Sequence, residues 1–243
     1  MDTQEIWSSK KYSVNVINDR FYMSNTDLFK NLDDIIGANI SFYKNLKHIH
    51  SSVQGNGIKT LQHLNDVEIL CLSNLDQSDI YYISLLTKLH TLNINWKYGI
   101  KDDFLNLELL KHLPIKNLAL HDMSLNENHF AYFPDLEVLS ICWCNFKSLS
   151  FLKKLPRLRK LFINTMPVNK IQHIDDCISL KELGLLNSKN IEDFTPLIKL
   201  TSLNVLDLFR TPIDRWTLNK IRIANKGNIK IENLEIKKIF GIF

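Results

Sequence analysis

Three places in this chain hold side chains able to do chemistry. Cys142 and Cys144 flank Trp143, His48 and His50 stand two residues apart, and His121 precedes Asp122. Paired thiols or imidazoles suggest a metal or redox centre, and a histidine beside a carboxylate suggests acid and base work. Each falls short of a working arrangement. The register developed below sends Cys142 outward and Cys144 inward, so the two cannot share one ion. No HExxH pattern or Cys/His cluster accompanies His48 and His50. His121 and Asp122, as neighbours on a strand, point to opposite sides, and no nucleophile stands with them. Gly55, Asn56 and Gly57 are too few to cradle a phosphate, and 7 glycines in the whole chain leave no dinucleotide fingerprint. Asn39, Ile40 and Ser41 spell a glycosylation acceptor that matters only on export. The expectation is a protein without catalytic residues, metal or cofactor.

The remaining composition is ordinary for a soluble folded protein. Hydrophobic residues make up 45% of the chain, enough for a sizeable core. The net charge of +4 comes mostly from lysines, because Arg20, Arg157, Arg159, Arg210, Arg215 and Arg222 are the only arginines. Nucleic-acid surfaces usually gather arginines on one face, so no nucleic-acid partner is expected. Asp2 and Glu5 interrupt the first residues, no apolar leader follows, and no window approaches the roughly 18 apolar residues of a membrane span. A cytoplasmic protein without membrane contact is expected. Its cysteines, Cys71, Cys142, Cys144 and Cys177, form no CxxC pair and are expected to be reduced.

What must position these residues is a repeat. The pattern LxxLxL recurs with its second Leu at Leu70, Leu92, Leu118, Leu139, Leu161, Leu183 and Leu206, in steps of 22, 26, 21, 22, 22 and 23 residues. Its leading position is Val67, Leu89, Ile115, Leu136, Leu158, Leu180 and Leu203, and its closing one Leu72, Ile94, Leu120, Ile141, Ile163, Leu185 and Leu208. Apolar pairs follow in the second half of the unit: Phe146 and Leu149, Val168 and Ile171, Ile191 and Phe194, Ile213 and Trp216. LxL reads as a short strand whose alternate side chains point into a stack of units.

This register resembles the leucine-rich-repeat family, in particular the short subclass of bacterial internalins and phosphatase-regulating repeat proteins. The resemblance implies an α/β fold: a right-handed solenoid with a curved parallel sheet on its concave face, short helices and turns on its convex face, and caps at both ends. One departure stands out. The position usually held by asparagine, which bonds the backbone of the turn, is Leu75, Lys97, Met123, Cys144, Met166, Ser188 and Thr211. The turn groups must therefore find other partners, and irregular curvature is expected. The 26-residue unit should bulge around Tyr98 to Leu107.

The organisation expected is an N-terminal cap over 1–45, about eight repeats over 46–216, and a C-terminal cap with a last strand over 217–243. Leu46, Ile49 and Ser51 form a degenerate first unit. Before it, Tyr12 to Met23 reads as a hairpin or strand and Thr26 to Ile40 as a helix. Trp216 to Ala224 reads as a helix. Ile229 and Ile231, 23 residues after Leu206 and Leu208, read as the last strand. The apolar tail, with Ile239, Phe240, Ile242 and Phe243, is expected to cover its edge.

The outward strand positions would form the binding face. Of 28 such positions over seven units, only Asp122, Lys160, Glu182, Asp207 and Arg210 are charged, while Trp96, Trp143, Phe162 and Phe209 are large aromatics. A merely solvated sheet face would carry more charge, and exposed aromatics are what interface anchors are made of. The candidate partner-binding residues are Trp96, His121, Trp143, Lys160, Phe162, Asn164, Glu182, Asp207, Phe209 and Arg210, centred on Phe162 and Phe209. The function expected is a non-enzymatic module, monomeric on its own, that binds another protein through its concave face. The resemblance implies roles such as a cytosolic inhibitor, an immunity protein, of a cognate toxin. A secreted bacterial effector or adaptor acting on host proteins is the alternative.

Overall fold

The computed structural model describes residues 3–9, 12–17, 20–24, 43, 45–51, 58–96, 105–165 and 167–236, with the first three strands at the level of the backbone. The chain divides into two compact units, Met1–Ser124 and Leu125–Phe243.

The first unit begins with three antiparallel strands, β1 (Thr3–Ser9), β2 (Tyr12–Ile17) and β3 (Arg20–Ser24). The hairpin expected over Tyr12 to Met23 is β2 with β3, and β1 adds a strand that the polar opening residues did not announce. From β3 onward pairing is parallel through β4 (His48–Ser51), β5 (Ile69–Leu75), β6 (Thr91–Trp96) and β7 (Asn117–His121). Ile49 pairs with Leu70, Leu70 with Leu92 and Leu92 with Leu118, so the degenerate first unit holds the same register. A short α-helix, α1 (Asp79–Ser84), follows β5 and buries Ile80 and Ile83. The helix expected over Thr26 to Ile40 and the bulge after Trp96, up to residue 104, lie outside the described residues.

The second unit is a stack of parallel strands: β8 (Val138–Cys142), β9 (Lys160–Asn164), β10 (Glu182–Leu186), β11 (Val205–Asp207) and β12 (Lys230–Glu232). Three-residue-per-turn helices carry the chain back between strands at Ser150–Lys154, Ile174–Asp176 and Thr195–Lys199. The periodic residues form the core. Leu139, Leu161, Leu183 and Leu206 and their partners Ile141, Ile163, Leu185 and Leu208 are all buried. So are Phe146, Leu149, Ile171, Ile191, Phe194 and Ile213 from the second halves of the units. Burying each such side chain stabilises the stack by roughly 1.5 to 3 kcal/mol, an area-based upper value. The rings of Phe130 and Phe151 stack at 4.3 Å between successive turns.

Two expectations need correcting at the end of the stack. Trp216 is not a core residue. The Asp214 carboxylate accepts from the Thr217 N–H at 2.8 Å and starts a true helix, α2 (Arg215–Ala224). That start puts Leu218 and Ile221 inward and leaves Trp216 60% exposed. The last strand also pairs two residues later than the arithmetic of the repeat predicts, with Ile231 beside Leu206. The ten residues of α2 and the turn around Gly227, at φ +77°, use up the difference. A shift of two preserves which side chains face inward.

Candidate functional site

The face opposite the core is set by the alternation. In β8 and β9 the odd members of each strand, Val138, Ser140 and Cys142, then Lys160, Phe162 and Asn164, are half-exposed, while the residues between them are buried. β10 departs from this at Gly184, which faces outward yet is buried. The cause is Phe162 on the neighbouring strand. A Cβ added to Gly184 would lie 2.6 Å from Phe162 Cδ1, so the ring lies across the bare glycine backbone. Glycine in a strand often marks such a close approach.

Alternation ends where the strands do. Trp143, Thr165, Asn187 and Arg210, each at the same place after its strand, have left-handed backbones with φ between 50° and 63°. Their N–H groups keep the strands in step: Trp143 donates to Asn164 O at 3.1 Å, Thr165 to Leu186 O at 2.9 Å and Asn187 to Phe209 O at 2.8 Å. The left-handed residue reverses the side-chain parity. Cys142 and Cys144 would share a face on a straight strand, but the turn at Trp143 leaves Cys142 half-exposed and sends Cys144 into the core. This column, expected to be the outer row of the sheet, is therefore a row of turn residues.

The missing asparagines are replaced locally. Cys144 Sγ donates to Cys142 O at 3.3 Å, Ser188 Oγ to Leu186 O at 2.9 Å and Thr211 Oγ1 to Phe209 O at 3.4 Å, each reaching two residues back. Thr211 Oγ1 also accepts from the Ser188 N–H at 2.9 Å, tying one repeat to the next.

Of the expected binding residues, those in the second unit fall into two groups. The first is already engaged. Lys160 and Glu182 pair with one another at 2.7 Å. Asp207 Oδ1 accepts from the Phe209 N–H at 3.1 Å and from Asn233 Nδ2 at 2.8 Å, and Asn164 Oδ1 accepts from Asn187 Nδ2 at 2.8 Å. These side chains brace the turns and the sheet. The second group is aromatic. Trp143 is 59% exposed and Phe209 41%, Phe162 lies on its glycine, and the Arg210 guanidinium sits 5.1 Å from the centroid of the Phe209 ring. In the first unit, His121 is half-buried on β7, and burial pulls its pKa down against the opposing pull of Asp122. Trp96 closes β6, and its side chain lies outside the described residues. Among the described residues no group of three or more His, Cys, Asp or Glu side chains gathers as a metal site. No described helix is long and apolar enough to cross a membrane.

Repeat register, stacked parallel strands and returning turns give the chain a leucine-rich-repeat fold. Among solved structures it is similar to internalin C2 of Listeria monocytogenes, with 25% identity, a TM-score of 0.53, and 69% of this chain and 73% of that one covered. It is also similar in fold to a leucine-rich-repeat protein of Leptospira interrogans, at 17% identity and a TM-score of 0.55, with 89% of this chain and 60% of that one covered. These likenesses are to bacterial leucine-rich-repeat proteins, and they support a solenoid of the kind used in protein interaction. No protein-family model and no curated protein matches the sequence.

Proposed function

We propose that the outward face of β8 to β11 binds a partner protein, with Trp143, Phe162, Phe209 and Arg210 as its anchors. One observation carries this reading. The charged and amide side chains of the face are spent on one another and on the turns, whereas large aromatic surface is left facing solvent. The physiological role we favour is inhibition of a cognate toxin inside the cell. The test is capture from native cytosol followed by titration of the captured protein. Replacing Phe162 and Phe209 together by Ala should abolish capture and leave the melting temperature within a few degrees. Unchanged affinity in the double variant overturns the assignment.

A further inference from the structure

A second surface lies at the opposite ends of these strands, where the chain enters the sheet. There a groove of about 680 Å³ is lined by Glu137, Arg157, Arg159, Ile178, Ser179 and Lys181, with Ser202 at one side. Its charges are stacked by the fold. The Arg159 N–H donates to Glu137 O at 2.8 Å, the Lys181 N–H to Arg159 O at 2.7 Å and the Asn204 N–H to Lys181 O at 2.7 Å, so these residues form a column one strand apart. Strands in a sheet stand about 4.8 Å apart, so Arg159 and Lys181 enter the groove from neighbouring strands, with Glu137 on the strand before them. Arg159 and Lys181 outnumber the single Glu137 carboxylate of this column, which leaves the groove a net positive charge that a further anion would offset.

The neighbouring groups decide what kind of anion fits. Arg157 is already paired with Asp135 at 2.7 Å, an arrangement in which an exposed arginine takes a carboxylate. Arg159 and Lys181 are exposed, and no ion pair is formed by either among the described residues. Ile178, 70% exposed at the rim, offers apolar contact beside the charges. Ser179 and Ser202 add hydroxyl donors along the groove. Two of the six arginines of the chain are here, and the guanidinium fork matches a carboxylate in two parallel bonds.

We infer that this groove is a docking site for an acidic segment of a partner protein, its carboxylates held by Arg159 and Lys181 and an adjoining apolar side chain resting on Ile178. The site is separate from the aromatic face and stands whether or not that face binds.

The probe is a short glutamate homopeptide carrying a fluorophore, titrated by anisotropy against the full chain at low salt. Binding should weaken at least about tenfold in Arg159→Glu/Lys181→Glu, the loss of about one charge-assisted pair or more. A glutamine homopeptide of the same length should not bind, and Phe162→Ala/Phe209→Ala should bind the probe as the parent does. Both substitutions in the groove are at exposed positions, and an unchanged circular-dichroism melt shows that the variant is folded. Equal affinity of parent and groove variant overturns the inference. So does displacement of the peptide by inorganic phosphate or by an RNA oligonucleotide at lower concentration than by unlabelled peptide.

Discussion

Thr165 is the sharpest test of the turn column. It is exposed, β-branched, and has φ +63°. A left-handed backbone costs an L-residue roughly 1–2 kcal/mol, and branching at Cβ puts Thr at the upper end of that range. Asparagine tolerates this conformation far better, as the equivalent Asn187 does at φ +50°. Against this gain stands the bond from Thr165 Oγ1 to Asn164 Oδ1, which is long at 3.3 Å and exposed. Its loss costs a few tenths of a kcal/mol, below the usual range for a net hydrogen bond of about 0.5–1.5 kcal/mol. Thr165→Asn should therefore stabilise the protein by about 0.5–1 kcal/mol, or about 1–4 °C for a chain of this size. Thr165→Val keeps the branch and removes only the hydroxyl, so it should be slightly destabilising. Urea unfolding of the three proteins, with unchanged slopes, gives the order Asn, wild type, Val. If the Asn variant is no more stable than the Val variant, backbone strain does not govern this column.

Leu161→Ala should cost roughly 2–5 kcal/mol through a cavity in the core, whereas Phe162→Ala, one residue along and outward, should cost about 1 kcal/mol. Equal shifts in the melting curves would contradict the strand register. Thr211→Val removes the acceptor that Thr211 Oγ1 offers the Ser188 N–H and should cost about 0.5–1.5 kcal/mol, the usual net worth of one hydrogen bond. A neutral result in thermal unfolding would show the cross-repeat bond to be dispensable. Burial, reinforced by the carboxylates of Asp176 and Asp175, pushes the Cys177 thiol up to about 12. A raised thiol pKa means that the folded state holds the proton more tightly, so its contribution is intact below pH 9 and is lost as pH rises towards 12. The loss amounts to about 4 kcal/mol at most. Cys177→Ala should flatten this alkaline limb of the stability profile, and iodoacetamide at pH 8 should leave Cys177 unmodified until the chain unfolds. Rapid alkylation in the native protein would refute the burial.

The repeat was readable because burial selects one thing, large aliphatic side chains at fixed spacing, and Leu161 with Ile163 or Leu183 with Leu185 show it directly. The site was less readable because its determinants are not periodic in residue type. Trp143, Thr165, Asn187 and Arg210 share a left-handed backbone and nothing in their side chains. Phe162 was recognised as outward, but its seat on Gly184 depends on contact between strands, which alternation along one strand does not encode. A glycine amid the outward positions was the signal available. Ile213 and Trp216 mimic the apolar pair of other units, but the helix expected from Trp216 starts one residue earlier on its Asp214 cap, and its first turn carries Trp216 outward. Lys160, Glu182, Asp207 and Asn164 read as partner-binding residues from the sequence, and only distances between side chains show that they pair with one another and hold the turns.

The varied chemistry of the turns constrains how this protein could have grown or could be rebuilt by gene duplication. Where every turn closes on the same asparagine, a repeat can be copied or deleted in frame and its neighbours find the same joint. Here Leu75 and Met123 are packed apolar side chains, while Cys144, Ser188 and Thr211 bond their own strands. Ser188 additionally depends on a hydroxyl supplied by the following unit. Excising the unit that carries Thr211 would remove an acceptor of a buried amide in the one before it, which ties β10 to β11.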